Sequence, residues 1–110
     1  MFELTNKVAV VTGCDTGLGQ GMAIALAGAG CAIVGINIVA PTETAERIAA
    51  EGGRFVSIEA NLATASPIAL IEQAVAAFGR IDILVNTAGI IRRADALLFS
   101  ERDWDVEIDI

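Results

Sequence analysis

The sequence predicts a parallel α/β sheet with helices on both faces, and three observations lead there. Val8-Ala9-Val10-Val11 is an apolar run with no polar gap, the mark of a strand covered on both sides, as strands of parallel sheets are. Gly13, Gly17 and Gly19 follow it at once and open into a helical stretch. Further along, apolar strand-like runs alternate with helical stretches over short connections. That order builds right-handed β-α-β units.

Taken in turn, the first helix runs from about Leu18 to Ala29, with Met22, Ile24, Ala25, Leu26 and Ala29 as its apolar content and Gly28 to Gly30 ending it. The second strand is Cys31 to Asn37, nearly all apolar. Pro41 and Thr42 open an amphipathic helix to about Glu51, closed by Gly52-Gly53. Arg54 to Glu59 alternates as a strand nearer the sheet edge should. Ser66-Pro67 pairs an N-cap with proline at the first helical position, and Ile68, Ile71, Val75 and Phe78 share one face of the helix that Gly79 stops. The fourth strand, Ile81 to Val85, leads into Asn86-Thr87-Ala88-Gly89. The expected strand order is 3-2-1-4. Residues 90–99 read as a loop with a helical turn. Ser100 with Asp103 resembles a capped helix start, while the tail from Asp103 to Ile110 alternates acid and apolar residues as a strand would.

Composition narrows the function. With 110 residues the chain is one small domain or part of a larger one. Its 55% hydrophobic and 19% charged content is an apolar excess that wants a partner surface. No apolar run approaches the roughly 18 residues of a membrane span, and the start, MFELTNK, lacks the features of an export signal, so a cytoplasmic protein is expected. A net charge of −7, with no basic run beyond Arg92-Arg93, disfavours nucleic acid and anionic membrane as partners. Cys14 follows the end of strand one and Cys31 opens strand two, so about 20 Å should part them and both should be reduced thiols. The chain has no His and no Tyr, and its one Lys is Lys7. Histidine triads, zinc–histidine sites and a Tyr/Lys acid–base pair cannot be built from it, and no catalytic or metal-ligating residue is assigned.

What the glycine loop can do is hold an anion. Backbone free of Cβ atoms turns sharply and brings its N–H groups close to a phosphate, while the helix starting near Leu18 aims its positive end at the same point. The spacing is G-x-x-x-G-x-G, and no Gly-Lys-Ser/Thr follows, which excludes a nucleoside-triphosphate P-loop. A glycine-rich turn that binds nothing is the alternative.

Thr12-Gly13-xxx-Gly17-x-Gly19, Asn86-x-Ala88-Gly89 and Asp103-Trp104-Asp105 together resemble the first half of a short-chain dehydrogenase/reductase. GCDTGLGQGMA, IVGINIV followed by Pro41-Thr42-Glu43-Thr44, and IRRADALLFSERDWD resemble its sugar-acid branch. The resemblance implies a Rossmann-type doubly wound sheet of which residues 1–110 are the N-terminal NAD-binding portion. It also implies hydride transfer between nicotinamide and a keto-deoxy sugar acid, and a homo-oligomer when complete. The catalytic Ser and the Tyr-x-x-x-Lys pair of the family lie in a second half, and by its pattern a catalytic asparagine would follow Ile110 directly. The chain is therefore expected to be a fragment, incomplete at its C-terminal side.

Carried over residue by residue, Gly13, Gly17 and Gly19, with the Leu18 N–H and Thr16, would hold the pyrophosphate. Asp15 has no contact role, since a carboxylate facing phosphate repels it; solvent or a neighbouring N–H is its expected partner. Asn37 stands where NAD-selective relatives have an aspartate on the adenosine ribose, or else caps a loop. With no Arg or Lys there, NAD is expected over NADP. Asn61 would meet the adenine amino group, or form an Asx-turn. Asn86, Ala88 and Gly89 would pass beside the adenosine ribose, or simply end the strand. Arg92 and Arg93 could fork a substrate carboxylate, though surface or subunit contacts are the commoner use of arginine. Trp104 reads as a packing residue. A non-catalytic NAD(H)-binding or partner-binding module, and more distantly a methyltransferase, remain as other classes.

Overall fold

The computed structural model describes residues 4–86. Seven elements follow one another: β1 (Val8–Thr12), α1 (Gly17–Gly28), β2 (Ala32–Asn37), α2 (Thr42–Ala50), β3 (Arg54–Glu59), α3 (Pro67–Phe78) and β4 (Ile83–Asn86). All strand pairs are parallel, and the sheet order is β3-β2-β1-β4. The expected order 3-2-1-4 is the one observed. Among the described residues no helix is long and apolar enough to cross a membrane.

Alternation along the central strands sorts their side chains onto two faces. Val8, Val10, Ala32 and Val34 pack with Leu70 and Ala74 of α3. Ala9, Val11 and Ile33 pack on the other face with Ala23 of α1 and Ile48 of α2. Every residue of β1 and β2 is buried, which is why these strands read as unbroken apolar runs. In β3 only Ile58 is buried and the rest are partly or fully exposed, as its alternating sequence foretold for an edge.

The helix ends follow local chemistry. Ser66 Oγ accepts from Ala69 N–H at 3.3 Å, Pro67 occupies the first turn, and Gly79 closes α3 with φ of 87°. Two strand starts shift from expectation. Cys31 N–H still donates to Leu26 O of the helix end, so the ladder begins when Ala32 N–H reaches Lys7 O. Before β4, Ile81 and Asp82 precede the strand because Asp82 is engaged with Val8 through both backbone and side chain.

The face of α3 also needs correction. The residues buried against the sheet are Leu70 and Ala74, whereas Ile68 is 54% exposed and Val75 37% exposed. The segment PIALIEQAVAAF is apolar around most of its circumference, so periodicity alone does not single out a face. Small Ala74 lets the helix approach the sheet closely, and of the expected stripe Ile68 and Val75 turn outward while Phe78 still packs against the core. The tail from Asp103 to Ile110 and the loop before it lie outside the described residues.

Asp82 clamps the two strands that meet where the chain reverses its direction across the sheet. Its Oδ2 accepts from Val8 N–H at 2.8 Å, its Oδ1 accepts from Arg80 at 2.6 Å, and its own N–H donates to Val8 O at 2.8 Å. Burial opposes ionisation of Asp82, but the Arg80 and Val8 hydrogen bonds and the charges of Arg80 and Lys7 outweigh it. The carboxyl is held below the usual carboxylate range. A carboxyl more acidic in the folded than in the unfolded state contributes stability above its unfolded value near pH 4 and loses it as pH falls through the folded value. Asp82→Ala, which leaves Val8 N–H without its acceptor, should cost about 1–3 kcal/mol in urea unfolding at pH 7. Asp82→Asn should flatten the loss of stability below pH 4; an unchanged acid limb would contradict this account.

Candidate functional site

The chain leaves β1 at the carboxyl edge of the sheet, and everything that shapes the site gathers at that exit. Thr12, opposite Ile36 and Asn86 in the ladder, places its Oγ1 3.0 Å from Asn86 Oδ1. Gly13 then turns with φ of 66°, a left-handed value, while its N–H donates to Ile36 O.

Cys14 comes next and is fully buried. Its N–H donates to Asn37 Oδ1 at 2.6 Å, and Asn37 Nδ2 lies 3.4 Å from its Sγ. Its carbonyl accepts from Thr44 Oγ1 at 2.6 Å. Thr44 in turn accepts from Gln20 Nε2 at 3.1 Å, and the same Nε2 lies 3.4 Å from Asp15 O. The loop is thereby held from β2, α2 and α1 at once. The Cys14 thiol fills the space that Gly35 leaves open: a Cβ on Gly35 would stand 2.6 Å from Cys14 Sγ and 2.8 Å from Phe55 Cζ. A glycine inside a central strand marks such a close approach.

Beyond the loop, Gly17 has φ of 62°, and a Cβ there would meet nothing within 4 Å. Thr16 sits at the N-cap of α1 without a side-chain cap, and the first turn has no acidic residue. The N–H groups that begin this helix, from Gly17 through Leu18 to Gly19, are therefore left to an outside acceptor at the positive end of the helix dipole. Leu18 is 73% exposed at this corner.

Beside the loop opens a cavity of about 300 Å³. Ile36 and Asn37 line it from the end of β2, Ile38 and Val39 from the segment that follows, Ala60 and Leu62 from the end of β3, and Gly13 and Asp15 from the loop. The wall is mostly apolar, the character of a site for a flat ring system.

The amide of Asn37 points to Cys14 rather than lying open on this wall, and the residue is 3% exposed. Its hydrogen bonds are those of the loop-capping alternative. Asn61 is exposed and accepts from Ala63 N–H at 2.8 Å, the Asx-turn geometry, with its neighbours Ala60 and Leu62 on the cavity. Asp15 joins the cavity wall, where the sequence placed it in solvent or at a cap. Ala88, Gly89, Arg92, Arg93 and Trp104 lie outside the described residues.

Sequence reasoning missed Thr44, Gln20 and Gly35. Only Gly35, an isolated glycine in an apolar strand, carried a readable signal. Neither cysteine is poised as a nucleophile. Burial pushes the Cys14 thiol up, with the Asp15 charge adding to it against the Asn37 hydrogen bond, and burial does the same to Cys31. Among the described residues no cluster of His, Cys, Asp or Glu could hold a metal.

A parallel sheet in this order, whose first strand feeds a glycine turn and an uncapped helix start, defines the Rossmann-type class of α/β proteins. The short chain dehydrogenase family model matches residues 7–110, and the chain belongs to that family. It is 68% identical over 105 residues to the 2-dehydro-3-deoxy-D-gluconate 5-dehydrogenase of Escherichia coli K12, covering 94% of this chain and 42% of that protein. The Dickeya dadantii protein of the same name is 62% identical, with the same coverage. Among solved structures, one from Agrobacterium tumefaciens with bound NADP, described as a candidate 2-deoxy-D-gluconate 3-dehydrogenase, is 45% identical. It covers 99% of this chain and 43% of its own, with a TM-score of 0.68. The chain thus spans less than half the length of the curated relatives it matches.

The packing of Cys14 into Gly35 is open to a double-mutant test. Gly35→Ala should destabilise the fold by about 1–3 kcal/mol through overpacking. Combining it with Cys14→Ala should recover part of that loss, so that urea-unfolding costs of the pair fall short of their sum. Strict additivity would show that the two residues do not share this space.

Proposed function

We propose that this chain is the N-terminal, cofactor-binding portion of a single-domain, NAD-dependent oxidoreductase that interconverts a keto-deoxy sugar acid and its alcohol, with 2-dehydro-3-deoxy-D-gluconate as the model substrate. The observation that carries the reading is the uncapped start of α1 behind the glycine turn, a ready set of N–H donors for a pyrophosphate. Thr16, Gly17, Leu18 and Gly19 would hold that group through backbone N–H donors, and Gly13, whose own N–H goes to Ile36 O, would turn the loop toward it. Asn37, Asn61, Asn86, Ala88 and Gly89 would border the adenosine half, and Arg92 or Arg93 would meet the substrate carboxylate. The substrate class is supported by the 68% and 62% identical relatives.

The preference for NAD is supported by the cavity wall, which has an acid in Asp15 and no cation. The Agrobacterium relative was solved with NADP, so the preference rests on this chain's own residues. Hydride transfer is the chemistry of the nicotinamide once bound, and the part played by these residues is to hold and orient it. Two buried free thiols suit a reducing, cytoplasmic setting, and the apolar composition of 55% suits assembly with further copies.

The test uses the full-length protein that carries these residues. Calorimetry should register NAD binding, and NAD reduction followed by absorbance should require 2-dehydro-3-deoxy-D-gluconate as the alcohol that gives up the hydride. Binding without turnover of any sugar acid would favour a non-catalytic NAD(H) module. Absence of heat with both NAD and NADP would defeat the cofactor reading.

A further inference from the structure

We propose that Asp15, in place of Asn37, recognises the adenosine ribose diol of the cofactor and repels a 2′-phosphate, which makes it the residue that sets NAD over NADP. The inference rests on the nucleotide reading above and deepens it.

Asn37 is committed elsewhere. Its Oδ1 takes the Cys14 N–H at 2.6 Å and its Nδ2 faces Cys14 Sγ at 3.4 Å, in a residue only 3% exposed. Turning that amide toward a ligand would orphan a buried backbone N–H, a cost comparable to the bond it would gain. Asp15 is the contrasting case. It is partly exposed, and its carboxylate makes no hydrogen bond or ion pair among the described residues. It does not cap α1.

The cavity lining points to the end of a dinucleotide that Asp15 would meet. Gly13 and Asp15 line it together with Asn37, Val39 and Leu62, whereas Gly17, Leu18 and Gly19 do not. Asp15 would thus border the nucleoside side of the loop, while the helix start that follows Thr16 would take the pyrophosphate. This removes the objection that a carboxylate in the loop must repel the cofactor.

The chemistry then follows from valence and charge. A vicinal diol presents two O–H donors, and a carboxylate presents two acceptor oxygens, so the pair can form charge-assisted bonds. A 2′-phosphate brings acceptors and negative charge to the same carboxylate, and repulsion excludes it. No nearby cation offsets that repulsion among the described residues. Arg47 pairs with Glu43, Arg80 pairs with Asp82, Arg54 reaches Gly30 O, and Lys7 precedes β1 at the far edge of the sheet.

The experiment titrates the full-length protein with NAD, NADP and NAD carrying 2′-deoxyadenosine, for the wild type, Asp15→Asn and Asp15→Ala. The wild type should prefer NAD to both others by roughly 10- to 100-fold, the scale of a charged hydrogen bond. Asp15→Asn should weaken NAD and strengthen NADP. Asp15→Ala should bind NAD and its deoxy analogue alike. Melting temperatures should stay unchanged, because the carboxylate anchors nothing in the fold, and so separate recognition from structure. A wild type that binds NADP as well as NAD, or an Asp15→Asn ratio within twofold of the wild type, overturns the proposal alone. A wild type that binds none of the three overturns both the proposal and the nucleotide reading.

Discussion

The bond from Cys14 N–H to Asn37 Oδ1, 2.6 Å long and shut away from water, is the constraint on which the site depends. A buried strand that hands its chain to a helix through a sharp turn must satisfy each backbone group it passes on the way. At Cys14 both are satisfied by side chains, the N–H by Asn37 and the carbonyl by Thr44. No ladder partner is available at that point, because β1 has ended and α1 has not begun. With the loop pinned there, the residues after it are free to present their own N–H groups outward.

The same pinning explains the division of labour between polar groups. Asn37, Thr44 and Gln20 are spent on the loop, so the cavity beside it keeps a mainly apolar wall. Gly35 makes this arrangement possible by lacking a side chain where the Cys14 sulfur and the Phe55 ring converge. At the other end of β1, Asp82 fastens the start of β4 to Val8 through two hydrogen bonds, and Arg80 holds its other carboxylate oxygen. The strand that delivers the loop is held at its start by an ion-paired carboxylate and at its finish by a network of neutral groups.

Legibility varied with the kind of signal. Strands one and two were readable because burial on both faces leaves no room for a polar residue in the run. The bounds of β3 and the start and stop of α3 were readable because edge alternation, an N-cap serine with proline, and a left-handed glycine are local effects. The buried side of α3 was not, since Ile68 and Leu70 are equally apolar and only contact with the sheet distinguishes them. The orientation of the Asn37 amide was equally hidden. An asparagine at a strand end suits a ligand and a loop equally well until the position of Cys14 is known.

By itself the amino-acid order determined the β-α alternation, the strand order and the family, because these follow from hydrophobic period, turn residues and a glycine spacing that survive in one dimension. Tertiary structure alone decided which polar groups face inward. Thr44 and Gln20 lie 30 and 5 residues from the backbone atoms they hold, and Asp15 reaches the cavity while its neighbour Cys14 is sealed beneath it. A hydrogen bond needs its partners within about 3 Å and in line, and that is a property of packing in three dimensions which no spacing along the chain records.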